Sequence, residues 1–304
     1  MKPALGALLL LLLTLGSGPC AAAGAPPAWS GALTGRLAHI KATGRIQLGY
    51  RQSAIPFSYV GAGGKPVGYS LDLCAAIAAA MAEELGGAPL AIDYVPVTAQ
   101  NRIEHVESGA VDLECGASTN TAERRRRVAF SPLIFVTGTR LAVPRASAVN
   151  RVADLRGRPV AVVRATTNEA AMRELDRLQR LQIRFVPADD YREALSLLEA
   201  GKAEALAADD VLLRGVLVEM HKRADFRLVG GLFSFEPYGI MFARRDPQLE
   251  AVVERALRDL AASRELAAIY NRWFLQPLPS GGRIDLPMST QLRRSFELIG
   301  MPTD

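Results

Sequence analysis

From about residue 45 to residue 275 the sequence switches back and forth between a hydrophobic period of about 2 and one of about 3.6. No other feature restricts the fold as much. "RIQLGY" alternates as a strand, and "SLDLCAAIAAAMAEELGG" then puts Leu73, Ile77, Met81 and Leu85 on one helical face, with Gly86 and Gly87 ending the helix. "LAIDYVPV", the short helix "QNRIEHVESG" and the strand "AVDLEC" continue the pattern. After "VAFSPLIFVTGTRLAVPR" a second series opens with "PVAVV", a helix from about Thr167 to Leu181, "IRFVPA", "REALSLLEAG", "KAEALAAD" and "VLLRGVLVEMH". The chain passes "FRLVGG", becomes extended again at "YGIMFARR", and enters a long helix predicted over Pro247 to Trp273. Such alternation predicts an α/β protein with largely parallel sheets. "PLPSGGRIDLP" and the last residues read as a surface tail.

The first residues have a different composition. Lys2, the apolar stretch Leu5 to Leu15 and the small residues Ala21 to Ala23 have the form of a secretory signal, here taken as residues 1–23. The apolar stretch is shorter than the roughly 20 residues that cross a bilayer, so an exported, unanchored product is expected. Pro19 before Cys20 fits poorly with a lipid-modified cysteine. Export to an oxidising compartment leaves Cys74 and Cys115 either as a disulfide or as two buried thiols, and sequence alone leaves both open.

The formal charge of +5 raises nucleic acid or an anionic membrane as a partner. The arginines argue against it, because outside 124 to 127 they alternate with Asp and Glu along the predicted helices, as on a solvated face. Three dispersed histidines and no Cys/His cluster give no metal site.

Several segments, in order and spacing, carry a family likeness: "GYRQSAIPFSY", "GYSLDL", "TAQNR", "DLECGASTNTAER", "VAFSPLIFVTGTRLAV", "DLRGRPVAV" and "YNRWF". Over about residues 35 to 290 the chain resembles the extracytoplasmic amino-acid-binding proteins of ABC importers, solute-binding protein family 3, and within them the glutamate/aspartate-binding proteins. The resemblance implies the two-lobe periplasmic binding protein type II fold, each lobe a sheet flanked by helices, joined by a two-strand hinge. It places lobe 1 at 35–138 plus 239–290, lobe 2 at 139–238 and a C-terminal tail at 291–304, with crossovers near Thr137 to Arg140 and Pro237 to Gly239. It implies a monomeric periplasmic receptor that binds L-glutamate, L-aspartate or a related acidic amino acid and serves the transmembrane subunits of an ABC permease. No cofactor, catalytic residue or nucleic acid is implied.

An acidic amino acid brings two carboxylates and an ammonium, and each charge taken out of water must be paired. Arginine suits carboxylates because its planar fork donates two parallel hydrogen bonds. In "RRRR", if the run lies on a helix opened by "STNTAER", successive side chains rotate by about 100° and cannot all line one cleft. The resemblance selects Arg124 as partner of the α-carboxylate, with Thr119 donating beside it. Arg51 and Arg102 match the positions that take the distal carboxylate. Thr166 and Thr167 match a turn that meets the α-carboxylate from the second lobe, although Thr166 with Glu169 also has the form of a capping box. Asp209 matches the acceptor of the α-ammonium, and its neighbour Asp210 is the better helix-start acid.

Three positions depart from the glutamate/aspartate binders. Ala99 and Ala117 stand where serines are usual, and Tyr191 stands where a histidine is usual. Each lost hydroxyl removes a hydrogen bond worth roughly 0.5 to 1.5 kcal/mol, so the preferred ligand can shift. Two other functions use the same fold. A cyclohexadienyl dehydratase needs a poised carboxyl acid, for which Glu114 and Glu236 are the candidates, and an amino-acid chemosensory receptor needs only the binding cleft.

Overall fold

The computed structural model describes residues 32–303, so the expected signal segment lies outside the described residues. Helix α1 (Gly35–Thr43) leads into β1 (Arg45–Tyr50), followed by the short strands β2 (Ser53–Ala54), β3 (Ser58–Val60) and β4 (Pro66–Val67). Next come α2 (Tyr69–Glu84), β5 (Ala91–Pro96), α3 (Arg102–Glu107), β6 (Leu113–Glu114), β7 (Val128–Phe130), β8 (Phe135–Thr137) and β9 (Thr139–Pro144). The second series is β10 (Pro159–Val163), α4 (Thr167–Gln179), β11 (Arg184–Ala188), α5 (Tyr191–Glu199), β12 (Ala205–Asp209), α6 (Asp210–Glu219), β13 (Phe226–Val229) and β14 (Glu236–Tyr238). The chain finishes with β15 (Met241–Ala243), α7 (Pro247–Ala262), α8 (Glu265–Phe274) and α9 (Thr290–Leu298).

Two five-stranded sheets form the frames of two lobes, in the orders β5-β1-β6-β15-β7 and β11-β10-β12-β9-β13. Both are mixed rather than largely parallel. In the first, β5, β1 and β6 run parallel and β15 antiparallel to both neighbours; in the second, β11, β10 and β12 run parallel and β9 is the reversed strand. The reversed strands are the two that follow a passage between the lobes, so neither arrives by the βαβ crossover that makes its neighbours parallel. The passage itself is the antiparallel pair β8 and β14, with Glu236 opposite Thr137 and Tyr238 opposite Phe135.

Where β8 and β14 leave the first lobe, their side chains enter an aromatic cluster. Phe135 stacks on Phe274 at 4.9 Å between centroids and on Tyr270 at 6.1 Å, while Phe57 meets Phe135 and Tyr238 edge-on at 5.0 and 5.1 Å. Such contacts add to apolar burial and hold the connecting strands at their root.

Helix starts follow their caps. Asp246 caps α7 by accepting from the Leu249 amide, with Pro247 in the first turn, and the Thr166 hydroxyl accepts from the Glu169 amide to cap α4. The single helix predicted over Pro247 to Trp273 is broken into α7 and α8, because Arg264 adopts a left-handed φ of 63°. The expected surface tail is instead part of the core: Leu278, Ile284, Leu292, Phe296 and Met301 are buried, and α9 packs against β8. Its apolar residues are too widely spaced, in a stretch rich in Pro and Gly, to show a helical period until α9 itself. Cys74 on α2 and Cys115 after β6 form a disulfide, with Cα atoms 6.2 Å apart.

Candidate ligand cleft

The expected site residues leave the carboxyl ends of the parallel strands, where an α/β sheet opens its crevice. Arg51 follows β1, Thr119 and Arg124 follow β6, Thr166 and Thr167 follow β10, and Asp209 ends β12. Arg102 begins α3 and Tyr191 begins α5.

The arginine run lies not on an α-helix but on a single 3-10 turn, Arg124–Arg126. Its tight winding still points one guanidinium inward. Arg124 is buried, with Nη1 donating to the Thr119 carbonyl at 2.9 Å, whereas Arg125 reaches Asn120 at 2.7 Å and Arg127 pairs with Glu107 at the surface. Asn120 is thereby the acceptor for Arg125.

Arg51, Arg102 and Arg124 are each at most 9% exposed, and among the described residues none of their guanidinium groups is in an ion pair. Arg102 donates through Nη1 to Ser118 Oγ at 2.6 Å and to the Ala117 carbonyl at 3.3 Å, while its buried Nε has no partner. Arg51 sits over the Tyr191 ring, 6.0 Å from its centroid. Burial, and then the charge of Arg102, pull Arg51 below its ordinary value and Arg124 down to about 10. Burial holds the Tyr191 phenol up at about 12, against the pull of Arg51. Three buried like charges this close call for anions, and Glu114 is one. It is fully buried and accepts from Ser118 Oγ at 2.6 Å, so an Arg102–Ser118–Glu114 chain lies beneath the cleft. Gly116 leaves room for that carboxylate, since a Cβ there would fall 2.2 Å from Glu114 Oε1.

A second group of polar side chains spans the lobes. Glu236, on β14, accepts from Ser234 Oγ at 2.7 Å, Thr119 Oγ1 at 2.7 Å and Thr167 Oγ1 at 2.6 Å. Thr119 and Thr167 face each other across the cleft at 3.3 Å between hydroxyls. Thr119 is expected to supply a hydroxyl or a backbone donor beside Arg124; its hydroxyl instead donates to Glu236. Thr166 contributes no free hydroxyl either, because Oγ1 donates to the Val163 carbonyl at 2.7 Å and accepts from Glu169 N at 3.1 Å. What the turn offers is the start of α4, whose dipole favours an anion.

Asp209 caps nothing with its side chain. Its carboxylate accepts from Asn168 Nδ2 at 2.9 Å and from the Tyr238 hydroxyl. Burial, reinforced by the charge of Glu236, raises it to about 7. Asp210 points away and pairs with Arg140 and Arg214 at 2.8 and 2.6 Å. Ala99 and Ala117 are both buried nearby in the chain, leaving Ser118 as the hydroxyl beside Arg102. Ser118, Asn168 and Tyr238 were not singled out in the sequence, and Glu114 and Glu236 were named there only as acids for a dehydratase. Glu114, Ser118, Glu236 and Tyr238 lie on a loop or short strands, where no periodicity says which way a side chain points, and Asn168 lies in the first turn of α4.

A family model for bacterial extracellular solute-binding proteins, family 3, matches residues 46–276. The chain is 40% identical to an L-glutamate/L-aspartate-binding protein of Pseudomonas aeruginosa over 274 residues, 90% of each chain. It is 33% identical to a glutamate/aspartate import solute-binding protein of Escherichia coli, covering 95% of this chain and 94% of that one. Among solved structures, a mutant of an arginine-binding protein from T. maritima superposes with a TM-score of 0.71 at 27% identity, covering 79% of this chain and 99% of that one. A solute receptor for L-cysteine from Neisseria gonorrhoeae gives a TM-score of 0.68 at 27% identity, covering 79% and 93%. With its sheets framing two lobes and its charged cleft at the strand ends, the chain belongs to the bacterial extracellular solute-binding proteins, family 3.

Proposed function

We propose that this protein is a periplasmic receptor that binds L-glutamate or L-aspartate between its lobes and delivers it to an ABC permease. The observation that carries this reading is the set of three buried arginines that, among the described residues, form no ion pair, beside the Asp209 carboxylate, which accepts two hydrogen bonds. An amino acid with a second carboxylate matches these charges one by one. Arg124 and the start of α4 take the α-carboxylate, Asp209 and the oxygen of Thr119 take the ammonium, and Arg51 with Arg102 takes the distal carboxylate. Tyr191 closes the distal end under Arg51. The names of the curated relatives, glutamate/aspartate-binding and import proteins, support the same ligands and an importer as partner.

Lobe 1 is proposed as 35–138 plus the chain from 239 onward, and lobe 2 as 139–238. The residues lining the cleft do no covalent chemistry in this reading. Of the two candidate acids for a dehydratase, Glu236 is held by three hydroxyls, and Glu114 lies beneath Gly116 with one oxygen accepting from Ser118.

Calorimetry on protein unfolded and refolded free of ligand tests the assignment. Glutamate and aspartate are expected to bind more tightly than glutamine. Arg124→Met is expected to abolish binding of every α-amino acid, and micromolar binding by that variant contradicts its role. Arg51→Met is expected to weaken glutamate by about 2 kcal/mol more than glutamine, the range for a hydrogen bond to a charged group; equal losses would mean the distal pocket lies elsewhere.

A further inference from the structure

Away from the arginines the lobes meet along a second seam. The segment around β2 and β3 of the first lobe lies against α5 and α6 of the second. Arg192, in the first turn of α5, crosses the seam. Its Nη1 donates to the Gln52 carbonyl at 3.1 Å and its Nη2 to the Val60 carbonyl at 3.3 Å. Beside it the Tyr191 amide donates to Ser53 Oγ at 3.2 Å.

Opposite the same segment, inside α6, stands Gly215. A Cβ at this position would lie 2.1 Å from the Ile55 carbonyl oxygen and 2.6 Å from its carbonyl carbon. The obstructing atoms are backbone, so no rotamer change relieves the clash. Nothing in α6 itself calls for glycine: the residue is helical, has no left-handed φ, and alanine is the better helix former. What the missing side chain permits is the approach of one lobe's backbone to the other's.

We infer that Gly215 and Arg192 form a latch between the lobes that sets ligand affinity without touching the ligand. Gly215 lets the lobes come together, and Arg192 ties them through carbonyls that its own lobe does not supply. The apparent dissociation constant is the intrinsic one divided by the fraction of closed molecules, so a change at the seam weakens every ligand by the same factor. This rests on the receptor reading above.

The full chain, Gly215→Ala and Arg192→Ala are titrated with L-glutamate and L-aspartate in a calorimeter, and each is followed by thermal unfolding and small-angle scattering. Ligand-free Gly215→Ala is expected to unfold at or above the wild-type temperature yet to bind both acids roughly tenfold or more weakly, with the ratio of the two affinities kept. At the ligand concentration that compacts the wild type, its radius of gyration stays near the ligand-free value. Arg192→Ala is expected to lose roughly threefold to tenfold for both acids. Unchanged affinity in both variants, or a changed ratio of the two acids, overturns the latch. If Gly215→Ala fails to fold, Arg192→Ala is held to the same two criteria. A wild type that binds neither acid sinks the receptor reading instead; the latch is then judged by scattering alone, where variants no more open than the wild type overturn it.

Discussion

Single residues decide the charge balance of the cleft. Burying Arg51, Arg102 and Arg124 together is unfavourable unless anions accompany them, and Glu114, Glu236 and Asp209 bring three negative groups to the same region. Burial raises Asp209 until its protonation changes near neutrality. In the ligand-free protein it titrates at about 7, and an ammonium beside it favours the carboxylate. Proton and ligand therefore compete. Affinity for glutamate is expected to be level above pH 7 and to fall by up to about tenfold per pH unit below it, with proton release on binding near pH 6. Calorimetry in buffers of different ionisation heat measures both quantities, and an affinity constant from pH 5 to 8 contradicts the role of Asp209. The sign for folding is opposite. Because unfolded Asp titrates near about 3.9, the ligand-free fold holds the extra proton between pH 4 and 7 and loses stability as pH rises through that window.

At the scale of elements, patterned segments behave as their sequence says and unpatterned ones do not. The faces of α2, the strand β1 and the T-x-x-E start of α4 follow from spacing alone, since helix periodicity and capping are local properties. The break at Arg264, the 3-10 turn at Arg124–Arg126 and the packing of α9 on β8 depend on what those segments touch. The disulfide also belongs here, because it ties α2 to the loop that follows β6 and carries Thr119 and Arg124 of the candidate site. Its sequence separation of 41 residues closes a long loop of the unfolded chain, and chain-entropy arithmetic gives about 4 kcal/mol of stabilisation. Replacing Cys74 and Cys115 by Ser together is expected to lower stability by that amount in denaturant unfolding. A change below about 1 kcal/mol would mean that the bridge is not formed in solution.

For the whole molecule, two sheets share one connection at β8 and β14 and one set of polar contacts across the cleft, so ligand, closure and stability are linked. Glu236 sits where the three meet: on the connecting strand, accepting Thr119 from one lobe and Thr167 from the other. A ligand that bridges the lobes stabilises the folded state by mass action, by about 2.7 kcal/mol at a hundred times its dissociation constant. For a chain of this size that is a rise of about 4 to 5 °C in Tm, with a fall in radius of gyration on scattering. Glutamate that neither raises Tm nor compacts the protein contradicts the binding mode.

By itself the sequence determined the α/β class, the family and the order of elements as far as α7, because periodicity, capping and motif spacing are written locally and survive without knowing the partners. It also named Arg51, Arg102, Arg124 and Asp209, through their motifs rather than through their surroundings. Only the tertiary structure decided what each of these groups faces. The Thr119 and Thr167 hydroxyls turn to Glu236, Ser118 links Arg102 to Glu114, and Gly215 meets Ile55 across the seam. Apart from Ser118 and Glu114, those pairings join residues far apart in the chain, and no local rule sets the direction in which each side chain finds its partner. Burial and the close approach of two lobes set it instead, and they exist only in the folded molecule.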